Sequence, residues 1–187
     1  MRRLWVYAAA GLAVAATLAA GGSAVAGARH DHGGGSFSAR MNGYNEVVGP
    51  GSISTVGRGT FRAKVDKSEQ KITYTMRYVL ENPATQSHIH FAQQHVGGGI
   101  IVFLCSGTKP ACPSGVGAPA TVTGTITPAD VIGPAGQGIE PGSFVELVKA
   151  MKAGATYVNV HSSRWPAGEI RGQIGHKHHD DDHGKRH

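Results

Sequence analysis

The chain reads as an all-β protein: a Greek-key β-sandwich or barrel of about eight short strands with one short helix. Three observations carry this. Glycine makes up 28 of the 187 residues and charged residues only 16 %, a composition closer to a β-rich extracellular fold than to a helical bundle. Short segments alternate apolar and polar side chains with a period of two. Gly, Pro and Asn signals recur between them as turns. Roughly 140 residues between two atypical ends suffice for one domain with a real core.

Met1-Arg2-Arg3 is a basic start, residues 4–20 are an alanine-rich apolar run, and Ala24-Val25-Ala26 supplies small residues. This is the pattern of a signal peptide over residues 1–26, cleaved before Gly27. Left uncleaved, the same run would act as a membrane anchor, since a span needs roughly 20 apolar residues. No second such run follows, so the expected location is secreted or cell-envelope, with a membrane tether only through the uncleaved peptide. Without Arg2 and Arg3, the 18 basic residues become 16 against 12 acids, a charge of +4. The basic residues are scattered and not interleaved with aromatics, so no nucleic-acid partner is expected.

Residues 27–35 are a flexible lead containing His30 and His32. Residues 37–41 form a short strand. Residues 59–65 set Phe61, Ala63 and Val65 against Thr60, Arg62 and Lys64, an amphipathic strand. Asp66 to Gln70 connect it to residues 71–80, where Ile72, Tyr74, Met76, Tyr78 and Leu80 share a side; the two make a hairpin on one side of a core. Asn82-Pro83 ends the second strand. Residues 87–91 are the next strand. Residues 100–104 are continuously apolar, as in a strand buried on both faces. Residues 120–126 form another strand, and Pro128-Ala129-Asp130 opens a helical turn. Ser143-Phe144-Val145-Glu146 has the capping-box pattern, and Phe144, Leu147, Val148 and Met151 follow at helical spacing. Gly154 closes this helix, over about residues 143–153. Its Lys149 and Lys152 point to solvent. Residues 157–161 and 169–174 complete the domain.

Cys105 and Cys112 are the two cysteines. In an oxidising compartment they read as a local disulfide, the alternatives being a thiol metal site or two free thiols. Residues 176–187 hold five histidines and three aspartates and nothing apolar. Such a tail cannot bury anything and reads as disordered; it is either a weak chelator of divalent metals or a solubilising end.

The residues that carry chemistry are three histidines. His88 and His90 flank Ile89, a spacing that puts both imidazoles on one face of a strand. His161 stands where Tyr157-Val158-Asn159-Val160-His161 runs out into the turn residues Ser162 to Gly168. Three neutral imidazoles with an open position suit copper or zinc. Asn159, Glu169 or a backbone carbonyl would orient the second ring nitrogens. The alternative is three histidines that only hydrogen-bond loops and strand ends.

Phe37 to Val47, Ser87-His88-Ile89-His90, Val102-Phe103-Leu104, and Tyr157 to His161 followed by Pro166-Ala167-Gly168-Glu169-Ile170-Arg171-Gly172-Gln173-Ile174 resemble the CHRD domain, a chordin-type module of secreted proteins. The resemblance covers residues 36–175 in order. It departs at His95, at the cysteine loop and at the His-rich tail. More distantly, the pattern is similar to copper–zinc superoxide dismutase, a Greek-key β-barrel. That similarity implies copper ligands at His88, His90 and His161, with His95 a weaker candidate. It has no counterpart here for the zinc loop or the bridging histidine, and Gly168 stands at the active-site arginine position, with Arg164 and Arg171 nearby.

The expected function is an exported metal-binding module, for copper ahead of zinc, in storage or delivery; the metal ion is the partner. One alternative is an extracellular interaction or adhesion module with structural histidines. The other is a dismutase-like copper oxidoreductase, disfavoured by the absent zinc ligands, so the reading leans away from an enzyme.

Overall fold

The computed structural model describes residues 34–176. The expected signal peptide, most of the lead and the tail after His176 lie outside the described residues. The strands are β1 (Ser36–Asn42), β2 (Arg58–Val65), β3 (Ile72–Val79), β4 (Ala84–Phe91), β5 (Gly99–Cys105), β6 (Ala120–Ile126), β7 (Thr156–Ser162), β8 (Ile170–Gln173) and β9 (Gly175–His176), with one helix, α1 (Phe144–Lys152).

All the strands belong to one antiparallel sheet in the order β5-β4-β7-β8-β1-β2-β3-β6, with β9 beside β1. The sheet curls into a nearly closed barrel, and its end strands β5 and β6 approach each other. Side chains rather than a ladder bridge this seam. Tyr74 donates its hydroxyl to Leu104 O at 2.8 Å, and Lys109 Nζ donates to Thr125 O at 3.0 Å. Cys105 and Cys112 are bonded, with Cα atoms 5.0 Å apart, which ties the loop after β5 back to the end of that strand.

The period-two pattern sets the interior. In the β2–β3 hairpin Val65 pairs with Ile72 and Phe61 with Met76, so one face of both strands is buried. Ile89, Val158, Val160 and Ile170 add the apolar side chains of β4, β7 and β8, all fully buried. The helix buries Phe144, Leu147, Val148 and Met151. Gly154 ends it at φ +65° with its N–H donating to Met151 O, while Ala155 N–H donates to Ala150 O, a left-handed C-terminal cap that suits glycine.

The structure differs from the sequence reading at four places. The Ser143 side chain makes no cap bond: its carbonyl instead accepts from the Glu146 and Leu147 amides, and the Glu146 carboxylate turns to Lys149 at 2.9 Å. Lys152 does not stand free in solvent, because it pairs with Glu69 in the β2–β3 turn. His176, expected in the tail, pairs with Phe37 in β9 and packs its ring on the Phe37 ring at 4.4 Å. All of β7 is buried, although Tyr157, Asn159 and His161 alternate with Val158 and Val160 as in a half-buried strand. The outer face of β7 is covered by the segments after β1, β4 and β7, and the histidines lie in that layer.

Candidate metal centre

Register builds the site. On β4 and β7, His88 faces Asn159, His90 faces Tyr157, and Gln86 faces His161. On β7 and β8, Asn159 faces Arg171 and Tyr157 faces Gln173. Directly paired residues share a side of the sheet. The outer face of β4-β7-β8 is therefore a polar patch, while Ile89, Val158 and Val160 point into the barrel. Irregularities in the β4–β5 pairing separate Ser87 from His88 and Ile89 from His90; such bulges re-aim side chains. Ser87 anchors the two strands, its hydroxyl donating to Asn159 O at 2.6 Å.

One nitrogen from each of His88, His90 and His161 falls within 4.8 Å of the others. The three side chains are 0 %, 7 % and 6 % exposed. Their partners fix the tautomers. A carbonyl oxygen only accepts, so His161 Nδ1–H donates to Pro166 O at 2.8 Å and His90 Nδ1–H donates to Gly98 O at 2.9 Å. Both Nε2 atoms then carry lone pairs. His161 Nε2 accepts from His88 Nδ1 at 3.2 Å, which leaves the His88 Nε2 lone pair buried with no partner among the described residues. Two nitrogens bound at about 2.0 Å to one tetrahedral ion would be about 3.3 Å apart. The His88–His161 pair already has that separation, with a proton where an ion would sit.

His90 Nε2 lies 3.1 Å from the Asn159 side-chain oxygen. Two acceptors do not bond, and the amide orientation that satisfies the contact turns the Asn159 NH2 to the ring. Burial, reinforced by the neighbouring imidazoles, pushes His88 down to about 3. Burial likewise pushes His90 down to about 4 and lowers His161. The rings are neutral near pH 7, the state in which imidazole binds a metal.

Around the triad, the His90 ring stacks on Tyr157 at 4.6 Å with planes 2° apart, and the Arg171 guanidinium lies over the other part of this stack, 3.4 Å from the Tyr157 centroid. Arg171 Nη2 also donates to Gln93 O at 3.1 Å and Val96 O at 2.8 Å, which pulls the β4–β5 loop over the site. The Phe103 ring meets His88 edge-on at 4.5 Å. His95 is exposed in that loop at φ +64° and is not in the converging group. Arg164 is exposed over Trp165 at 5.2 Å.

The CHRD-domain family model matches residues 37–174. The chain belongs to the CHRD-domain family. No curated protein and no solved structure matches it, so the similarity to copper–zinc superoxide dismutase is not shown. Within this CHRD domain, the expected orienting partners hold for Asn159 and for the backbone carbonyls but not for Glu169. That carboxylate accepts from Thr55 Oγ1 at 2.8 Å and Glu81 N at 3.2 Å instead, because the segment before β2 folds over it. The disulfide and the family fit an extracellular protein, and no helix among the described residues is long and apolar enough to cross a membrane.

Sequence reasoning passed over Glu46. It is 2 % exposed, and burial raises its carboxyl to about 7 although Arg171 works in the other direction. Gly168 makes room for it: a Cβ there would sit 2.6 Å from Glu46 Oε1, and its φ of +130° suits only glycine. The sequence signal was no more than Gly168 itself, a turn glycine next to Glu169.

Proposed function

We propose that this CHRD domain is an exported metal-binding module that holds copper at His88, His90 and His161, for storage or delivery. The convergence of three buried imidazoles, one of them with an unused lone pair, carries the reading. Two of the rings are oriented through Nδ1 by backbone carbonyls, the outer-shell arrangement that fixes a metal-binding histidine. Copper is favoured because neutral imidazole suits both of its oxidation states, and its divalent ion stands highest in affinity for such donors among the first-row dications. Export follows from the basic, apolar and small-residue order of residues 1–26 and agrees with the disulfide.

The test is copper stoichiometry of the whole chain against His88→Ala/His161→Ala, both carrying the His-rich tail so that its contribution cancels. The double variant is expected to bind about one copper ion fewer per chain. A second reading, an interaction module with structural histidines, is favoured by one observation: His90, His161 and His88 Nδ1 already have hydrogen-bond partners. Unchanged stoichiometry together with a fall in thermal stability would establish that reading instead.

A further inference from the structure

The metal reading leaves open which oxidation state the site is built for, and the surroundings of the triad bear on this. Resting on that reading, we propose that the triad is a Cu(I) site: the Asn159 amide stands where a carboxylate ligand would stand, and the Arg171 cation lies one ring behind His90, so the site favours a monovalent ion over Zn(II) and Cu(II).

The donor set brings no negative charge. His88, Asn159 and Arg171 form one cross-strand row, and Asn159 is the side chain that reaches into the triad, 3.1 Å from His90 Nε2. An aspartate there would offer a dication both an oxygen ligand and a compensating charge; an amide offers neither in full. The charge stacked behind the triad is positive. Arg171 is 2 % exposed and 3.4 Å from the Tyr157 centroid, and Tyr157 stacks flat on His90. Neither buried carboxyl is bonded to a histidine of the triad: Glu46 acts on Arg171, and Glu169 accepts from Thr55 and Glu81.

Burial sharpens the discrimination. The cost of taking an ion out of water rises with the square of its charge, and a medium that lacks counter-charges does not return it. Coordination number points the same way. Zn(II) held by three protein ligands completes its shell with water, whereas Cu(I) is satisfied by two or three neutral donors. Here the triad is 0–7 % exposed, walled by the Phe103 and Tyr157 rings, and leaves a dication poorly served. Loading needs no proton to leave the protein. His88 has to move its proton from Nδ1 to the bare Nε2, and Asn159 has to turn its NH2 away from His90.

The test uses the whole chain, with the full-length His161→Ala protein run beside it so that metal held elsewhere is subtracted. Cu(I) affinity is measured without oxygen in ascorbate, which spares the disulfide, by competition with bathocuproine disulfonate. Zn(II) and Cu(II) affinities are measured by competition with chelators of known strength. The His161-dependent site is expected to prefer Cu(I) over Zn(II) by on the order of 100-fold. Asn159→Asp, nearly the same size, is expected to raise Zn(II) and Cu(II) affinity about tenfold or more while Cu(I) changes little. Zn(II) binding as tight as Cu(I) in the unsubstituted chain would overturn the Cu(I) assignment and leave the metal reading standing. So would a Cu(I) to Zn(II) ratio that Asn159→Asp does not move. Binding of all three ions unaltered by His161→Ala would remove the metal reading itself.

Discussion

Glu46→Gln tests the polar layer without touching a histidine. The Glu46 carboxyl is raised from 4.5 to about 7 by burial, against the pull of Arg171. Raised folded-state affinity for a proton means the contribution to stability is complete below the unfolded value near 4.5. It is then lost as pH climbs through about 7, because the unfolded chain releases its proton first. At about 1.4 kcal/mol per unit, a displacement of this size corresponds to about 3 kcal/mol lost between pH 4.5 and 8. Glutamine keeps the size of the side chain and cannot ionise. The stability of Glu46→Gln relative to the unsubstituted protein is therefore expected to rise by about 3 kcal/mol over that interval. The assay is urea unfolding of both metal-free proteins at a series of pH values. The absolute stability of the variant does not enter; the difference in slope does. Parallel curves would refute the buried-carboxyl reasoning and place the ionised group in contact with Arg171 or solvent.

Acid is expected to weaken the metal-free fold through the triad. His88 and His90 have lowered folded values, so their stabilisation is complete above the unfolded value of 6.5 and is lost as pH falls toward about 4 and 3. Near pH 5.5 unfolding should take up protons, the histidines outweighing the one that Glu46 gives up, and calorimetry in buffers of different ionisation heat would read it; net release would contradict this. Replacing both Cys105 and Cys112 by serine should cost about 2.5 kcal/mol in the same urea assay, since the chain-entropy gain from so short a loop is small. Equal stability of the serine protein would show that the seam is held by Tyr74 and Lys109 alone.

The hairpin of β2 and β3 was legible because one of its faces is solvated, so burial and sequence share the same alternation. In β7 they do not. Tyr157, Asn159 and His161 alternate with Val158 and Val160 as in a half-buried strand, yet both faces are buried. Most of the cover comes from segments far away in the chain, those after β1 and β4, and no local pattern announces it. His161 was legible because a histidine at a strand end, with a His-x-His pair elsewhere, is a recognisable combination. Arg171 was harder. Its side of β8 is set by alternation with Ile170 and Gly172, but its role depends on the carbonyls of Gln93 and Val96 turning toward it. Glu169, next to Gly168, looked equally suited to serve the histidines and was drawn off by Thr55.

The barrel thus has two interiors of opposite character. One is the apolar centre, which accounts for folding. The other is the polar layer between β4-β7-β8 and the segments over them. Glu46 Oε1, His88 Nε2, Glu169 Oε2, Arg171 Nη1 and Gln173 Oε1 are all buried without a hydrogen-bond partner among the described residues. A buried polar atom left unpaired costs about 1–3 kcal/mol, more for a charge. Five of them on neighbouring elements are expensive for a domain whose net stability is on the order of 5–15 kcal/mol. Apolar residues on the same face would pack under the same loops without that cost. Stability alone therefore does not explain this choice of side chains. The proposed metal site would account for the three histidines of this layer, since an ion would take one nitrogen from each of His88, His90 and His161, while Arg171 stacked behind His90 through Tyr157 would bear on which ion is held.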